Sequence, residues 1–250
     1  MSNPFPSRLW IVRHGESAGN VARALAMSSG SHTIELTGRD MDVPLSDLGQ
    51  RQAESLGRWF AKLPPEERPE TILSSPYRRA SDTASIAARQ WVDGNPALIV
   101  DERLREKEFG ALDRLTKVGI EALYPQEAKL RATIGKFYYR PPAGESWCDV
   151  LLRLRGAFET LCLHYAGKRV LLVSHQVVVL CFRYLIEGLD EKTLLMIDAE
   201  ADVANCAITE YRLEQEARGS KLMLRQYNFT TPLQVEGTPV TAEPDRAFSK

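Results

Sequence analysis

Residues 9–20 read LWIVRHGESAGN, and the way this stretch is divided decides the fold. Leu9 to Val12 is a short apolar run rich in β-branched residues, the mark of a buried strand. Arg13, His14 and Gly15 follow it directly. The same letters contain Gly15-Glu16-Ser17-Ala18-Gly19, which fits the G-x-S-x-G elbow of serine hydrolases. The two divisions name different nucleophiles, His14 or Ser17. In an elbow the serine sits on the strand-to-helix turn itself, and an oxyanion-hole loop comes from an earlier strand. Ser17 lies several residues past Val12, and little chain precedes Leu9 from which to build such a strand. A five-residue pattern with three fixed letters also arises readily by chance. Ser17 is therefore read as ordering the loop or as a hydrogen-bonding contact to substrate, and His14 as the nucleophile.

Outward from this strand the chain alternates. Residues 20–42 are polar and small, with MSSGSH inside them as an exposed loop. Ser46 caps a helix through Leu48, Leu56, Phe60 and Leu63, which Pro64-Pro65 stops. Thr71 to Leu73 reads as a strand, and Ser75-Pro76 as a helix start carrying Ala80, Ala84, Ala87 and Trp91 at helical spacing. Leu98 to Val100 is a third strand. Residues 117–135 hold short helical pieces. Ser146-x-x-Asp149 is a capping-box pattern opening an amphipathic helix through Val150, Leu154, Phe158, Leu161 and Tyr165. Val170 to Val173 is the most strand-like run, followed by a helix over 176–187 that ends at Gly188. Ala204 to Leu213 and Leu222 to Tyr227 read as late strands. This order predicts an α/β fold: a doubly wound, mostly parallel sheet with helices on both faces. Residues 1–230 form a single catalytic domain, and residues 231–250, rich in Thr, Pro and Glu, a loose tail.

Composition narrows the partners. Lys plus Arg number 32 against 33 Asp plus Glu, a net charge of -1, so nothing draws the chain generally to nucleic acid or to an anionic membrane. The N-terminus lacks the charged-then-apolar order of a secretory signal, and no stretch nears the ~18 consecutive apolar residues of a spanning helix. A cytoplasmic protein is the expectation. Cys148, Cys162, Cys181 and Cys206 form no C-x-x-C pair and read as buried reduced thiols. No histidine pair has metal-ligand spacing, and there is no P-loop and no G-x-G-x-x-G, so no cofactor is called for.

Open parallel sheets bind ligands beyond the carboxyl ends of their strands. The first strand ends in Arg13-His14, the second in SSPYRR, the third leads to Arg105-Glu106, and the strongest ends in Ser174-His175. One sheet edge thus gathers two histidines, several arginines and a glutamate, a set that suits a phosphoryl group. Arginine grips phosphate oxygens with a permanently charged fork, a neutral imidazole attacks phosphorus, and a carboxyl protonates the leaving oxygen and then activates water. Neighbouring arginines favour the neutral ring. With guanidinium groups supplying the electrostatics, no metal is required. Arg78 and Arg79 are adjacent at a helix start and point apart, so one of them is solvated. Glu102, Glu106 and Glu108 are all candidate acids, between which spacing does not choose. His32 and His164 read as surface or structural residues.

With these residues assembled, the chain resembles the histidine phosphatase superfamily, which includes cofactor-dependent phosphoglycerate mutase. The resemblance rests on IVRHGESAGN, PLSDLGQRQA, LSSPYRRASDTA, DERLREKEFGAL, GESWCDVLLRL and VLLVSHQ, in the family's order across residues 8–180. It implies a phosphoglycerate mutase-like three-layer sandwich. It further implies His14 as the phosphorylated nucleophile, His175 as the second histidine on the phosphoryl group and Glu106 as proton donor. Arg13, Asn20 and Arg79 become the phosphate-binding residues. One departure is Gln176, where many relatives carry glycine; its longer side chain is expected to crowd or touch the substrate. Another is the length of residues 21–42, expected to form a flap over the site.

Mutases of the family carry a longer insertion between the acid glutamate and the GES segment, with basic residues that grip phosphoglycerate. Here that interval is short, and KFYYRPPAGES resembles phosphatase-like members. Hydrolysis of a small phosphorylated metabolite is therefore favoured. Mutase-type phosphotransfer is the alternative, and a phosphate-binding scaffold of low turnover a further one. Tyr138, Tyr139 and Arg140 are candidate contacts to the leaving group, with an aromatic lid packed on the core as the competing reading. Oligomeric state stays open, a homodimer included.

Overall fold

In a computed structural model that describes residues 4–91, 96–216 and 219–243, the sheet is built around its two most apolar runs. Strand β1 (Arg8–Arg13) is followed by helix α1 (Ala18–Ser28) and, past a 3-10 turn at Asp40–Asp42, by α2 (Asp47–Ala61). Strand β2 (Thr71–Ser74), helix α3 (Arg78–Ala88) and strand β3 (Ala97–Val100) come next. Two short helices, α4 (Lys117–Leu123) and α5 (Pro125–Ile134), precede the long α6 (Trp147–His164). Strand β4 (Arg169–Ser174) leads into α7 (Gln176–Glu187) and α8 (Glu191–Glu200). A hairpin of β5 (Ile208–Glu216) and β6 (Gly219–Phe229) and a final turn of helix, α9 (Thr231–Val235), complete it.

The six strands lie in the order β3-β2-β4-β1-β5-β6. The pairs β3-β2, β2-β4 and β4-β1 are parallel, and β5 runs antiparallel to both β1 and β6. Helices cover both faces, and the period of two in a strand sorts the core accordingly. Leu9, Ile11, Val170 and Leu172 face α6 and α7, whereas Trp10, Val12, Leu171 and Val173 face α2 and α3. A smaller cluster of Phe109, Leu112, Leu115, Ile120 and Tyr139 stands apart beside α4 and α5.

Several local expectations hold. Ser46 caps α2 by accepting the Gly49 N–H at 3.0 Å, the Ser146–Asp149 capping box opens α6, and α7 ends at Gly188 in the left-handed conformation. Others are corrected. Helix α3 begins at Arg78, not at Ser75-Pro76, because the Ser75 hydroxyl is engaged by the Tyr77 N–H and by His175. The stretch after Asn20 is not all loop: α1 runs to Ser28, capped by Ser17. Its inner face is Asn20, Arg23 and Ala26, while Leu25 and Met27 are 64% and 58% exposed. The polar face points inward, so the usual apolar stripe is missing. The tail is corrected for residues 231–243. Leu233 is fully buried, the Thr238 hydroxyl meets Ser55, and Gln52 of α2 donates to the Pro239 carbonyl and to Thr241. Residues 244–250 lie outside the described residues.

Candidate active site

The register between β1 and β4 assembles the centre. Arg13 lies opposite Ser174, so His14 and His175 leave adjacent strands side by side. Both rings are fully buried, with centroids 5.1 Å apart at 66°. Next along the sheet, β2 delivers Ser75, whose hydroxyl lies 2.8 Å from Nε2 of His175. Ser75 was absent from the sequence-based set, although the end-of-strand rule that found the histidines applies to it equally.

Nδ1 of His14 is 2.7 Å from the Gly15 carbonyl oxygen. That oxygen only accepts, so Nδ1 carries the proton and Nε2 keeps its lone pair. Arg79 donates its Nε–H to that lone pair at 3.2 Å, which places a guanidinium beside that nitrogen. The other two nitrogens of Arg79 are held by Asp40: Nη1 donates to its main-chain oxygen at 2.8 Å, and Nη2 to Oδ2 at 3.2 Å. Of the adjacent arginines, Arg79 is 3% exposed, whereas the Arg78 side chain stays at the surface beside Asp82. Thr83, one turn along α3, accepts the Gly15 N–H at 3.0 Å and stitches that helix to the loop after β1.

Glu106 is 1% exposed, and its Oε2 lies 4.0 Å from Nδ1 of His175. Among the three candidate acids, then, Glu106 is the one set against a histidine; Glu108 accepts from the Tyr77 hydroxyl. The segment is pinned from both sides. Ser174 donates to the Leu104 carbonyl at 2.6 Å, and Arg153 of α6 donates to the carbonyls of Arg103 and Glu106. Glu145 anchors this frame by accepting from Arg153, from Arg105 at 2.7 Å and from the Glu108 N–H at 3.1 Å. Burial pushes its carboxyl upward, but Arg153 and these donors hold it below the usual carboxylate range.

Arg13 is fully buried and donates to the carbonyls of Val203 and Glu243. Asn20 also donates to the Glu243 carbonyl, at 3.2 Å, while its oxygen accepts from the Ser17 N–H and hydroxyl. Ser17 therefore caps α1, as the loop-ordering reading required. The docked C-terminal segment brings its Glu243 carbonyl to two residues singled out for phosphate. Helix α7 starts immediately after His175, so its positive end faces the same region.

Three expected substrate contacts are engaged elsewhere. Tyr139 is 4% exposed and donates to Glu127, so it belongs to the small apolar cluster and the packed-lid reading prevails. Arg140 is a surface residue that donates to the Gly144 carbonyl and to Asp149 at the start of α6. Gln176 donates to Asp202 at 2.8 Å. His32 and His164 are exposed, and Cys181 and Cys206 are fully buried thiols whose ionisation burial opposes. The segment expected to form a flap crosses beside Arg79. Arg114 donates to the carbonyls of Leu36 and Gly38, and Asp40 takes Arg79. A small cavity of ≈ 30 Å³ lies beneath it between Ser17, Arg23, Arg79 and Phe109. Among the described residues no three His, Cys, Asp or Glu side chains gather as a metal site, and no helix is long and apolar enough to cross a membrane.

Comparison with known proteins gives the family. The family model described as "Histidine phosphatase superfamily (branch 1)" matches residues 9–224. "Probable phosphoglycerate mutase GpmB" of Photorhabdus laumondii is 34% identical over 184 residues, covering 73% of this chain and 75% of that protein. The "Bifunctional protein Rv2228c" of Mycobacterium tuberculosis is 30% identical over 206 residues; the match covers 82% of this chain and 50% of that longer protein. Among solved structures, the native mycobacterial glucosyl-3-phosphoglycerate phosphatase Rv2419c superposes with a TM-score of 0.67 at 26% identity, over 89% of this chain and 99% of that one. The alpha-ribazole phosphatase of Shigella flexneri, at 19% identity and a TM-score of 0.66 over 89% and 97%, shares the fold. On the family match and on these buried paired histidines, the chain belongs to the histidine phosphatase superfamily, branch 1.

Proposed function

We propose that this protein is a metal-independent phosphomonoester hydrolase that works through a phosphohistidine on a small phosphorylated metabolite. The observation that carries this is the His14 tautomer: the Gly15 carbonyl fixes the proton on Nδ1, and Arg79 marks Nε2 as the attacking atom. Nε2 attacks phosphorus in line with the departing oxygen, and the N–P bond forms as the ester P–O bond breaks. Arg79, Arg13, Asn20 and His175 stabilise the charge on the equatorial oxygens, with phosphoryl oxygen taking the acceptor position that the Glu243 carbonyl holds in the free protein. Glu106 gives its proton to the leaving oxygen. It then takes one from the water that cleaves the N–P bond, returning His14 to its neutral form and releasing inorganic phosphate.

The short chain between Glu106 and Glu145, filled by α4 and α5, favours water as the second acceptor, and phosphatases among the structural relatives point the same way. The likeness to a protein named as a mutase supports a second reading, transfer to another hydroxyl. Rapid quenching with a labelled aryl phosphate separates the two. Acid-labile label is expected on wild type and absent from His14→Ala. Its loss to water is expected to outpace its transfer to 3-phosphoglycerate; the reverse order makes the protein a mutase. Turnover undiminished in His14→Ala would overturn the mechanism.

A further inference from the structure

The segment 202–206 forms a shelf under the end of β1. The Val203 carbonyl accepts from Nη1 of Arg13, Cys206 donates its N–H to the Arg13 carbonyl at 3.0 Å, and the Asn205 side chain donates to the His14 carbonyl at 3.0 Å. Residues 202–206 belong to no helix or strand, so their backbone is set by side chains from outside. Cys206 is held at a φ of 55°, a left-handed conformation that persists only where the surroundings over-determine it. Asn228 of β6 supplies one brace, donating to the Asp202 carbonyl at 3.1 Å and accepting the Ala204 N–H at 2.8 Å. Thr241 supplies a second: its carbonyl accepts the Asn205 N–H at 2.8 Å, and its hydroxyl donates to the Asn205 side chain at 3.0 Å. A third comes from the centre itself. Gln176, the first residue of α7 and the neighbour of His175, is 1% exposed and donates its Nε2–H to Oδ1 of Asp202 at 2.8 Å. That bond ties the helix behind one histidine to the shelf that holds the arginine beside the other. A guanidinium is a rigid planar fork, so a small shift of the acceptor at Val203 re-aims all of its donors.

We propose that Gln176 is a positioning residue: through Asp202 it fixes the segment 202–206 and so aims the Arg13 guanidinium at the phosphoryl group. The inference rests on the reading of Arg13 as a phosphate ligand. It gives Gln176, expected at first against the substrate, a role that needs no contact with it. Glycine, which many relatives carry at this position, has no side chain to reach Asp202.

The test titrates orthovanadate into wild type, Gln176→Met, Asp202→Ala, the double variant and Asp202→Asn, and measures kcat/KM for phenyl phosphate on each. Gln176→Met keeps the length of the side chain and removes its donor. It is expected to weaken orthovanadate binding by roughly 5- to 10-fold, with kcat/KM falling by a similar factor. Asp202→Ala is expected to do the same, and the double variant to lose no more than either alone. Asp202→Asn is expected to stay within about 2-fold of wild type, because its amide oxygen still accepts from Gln176. A merely structural role would lower the melting temperature without moving the affinity of the folded protein for orthovanadate. Wild-type affinity in Gln176→Met, losses that add in the double variant, or an Asp202→Asn as weak as Asp202→Ala overturns the proposal. Arg13→Lys tests the reading beneath it. If wild type does not bind orthovanadate, or Arg13→Lys binds it equally well, the phosphate role of Arg13 fails. Positioning is then judged on the Arg13 Nε–H resonance in heteronuclear NMR spectra. It stands if that resonance shifts in Gln176→Met and Asp202→Ala but not in Asp202→Asn, and falls if Gln176→Met leaves it in place.

Discussion

At the scale of single residues, the centre works by holding donors in fixed directions. Arg79 shows this best. Asp40 occupies two of its nitrogens, and the remaining Nε–H is turned onto His14. Lysine keeps the charge but presents a compact ammonium in place of that planar edge. Arg79→Lys is therefore expected to lower kcat/KM for an aryl phosphate by roughly 100-fold while leaving the melting temperature near that of wild type. Lys107 has a different consequence, for stability. Below about pH 8 both folded and unfolded chains carry its proton, and the fold bears the cost of the buried charge. Between about 8 and the ordinary value of 10.5 the unfolded chain binds more protons, so stability rises with pH across that window. Denaturant midpoints of wild type and Lys107→Met across pH 7 to 11 check this; the rise is expected to be smaller in the variant. At neutral pH Lys107→Met is expected to be as stable as wild type or more so, because an apolar side chain of similar length removes an unpaired buried charge.

At the scale of elements, close approach of backbone explains residues with no chemistry of their own. A Cβ on Gly49, in the first turn of α2, would lie 1.9 Å from the Glu16 carbonyl oxygen, and one on Gly15 would lie 2.5 Å from the Gly49 carbonyl oxygen. The loop after β1 and the start of α2 thus meet without side chains between them. Gly49→Ala is expected to cost about 3 kcal/mol in urea unfolding and to weaken catalysis, since that loop carries His14. The Glu145 anchor makes a second case. Glu145→Gln leaves Arg153 and Arg105 without their anion, for an expected loss of about 3 kcal/mol, with slower phosphoenzyme formation because Glu106 loses its frame. Much at this scale was legible beforehand. The capped starts of α2 and α6, the end of α7 and the strand runs follow from local chemistry that neighbours only reinforce. Helix α1 was not, because its inward face consists of the polar residues that build the site. Helix α8 was not either: of its residues only Leu194 and Asp198 are buried.

At the scale of the whole molecule, the C-terminal segment is the main revision. Residues 236–243 lie along the polar side of α2 through Ser55, Gln52 and Arg58 and reach Arg13 and Asn20. Truncation after Gly237 keeps the buried Leu233 and is expected to preserve cooperative unfolding while changing the affinity for orthovanadate. Truncation before Leu233 is expected to lower the melting temperature as well, since it empties a fully buried leucine site at about 2–5 kcal/mol. Scanning calorimetry and vanadate titration of the two truncations check both.

The amino-acid sequence by itself determined the strand runs, the doubly wound class and the two histidines at strand ends, which follow from short-range apolar periodicity and from which residues end each strand; Glu106 among the three acids and Arg79 over Arg78 were chosen by resemblance to the family. Only the tertiary structure decided which nitrogen of His14 carries the proton, that Asp40 orients Arg79, that Arg13 and Asn20 meet the C-terminal segment, and that Lys107 is buried against the Phe109 ring. These depend on contacts between residues far apart in the chain, where burial and the direction of a hydrogen bond, not residue type, set what a side chain does.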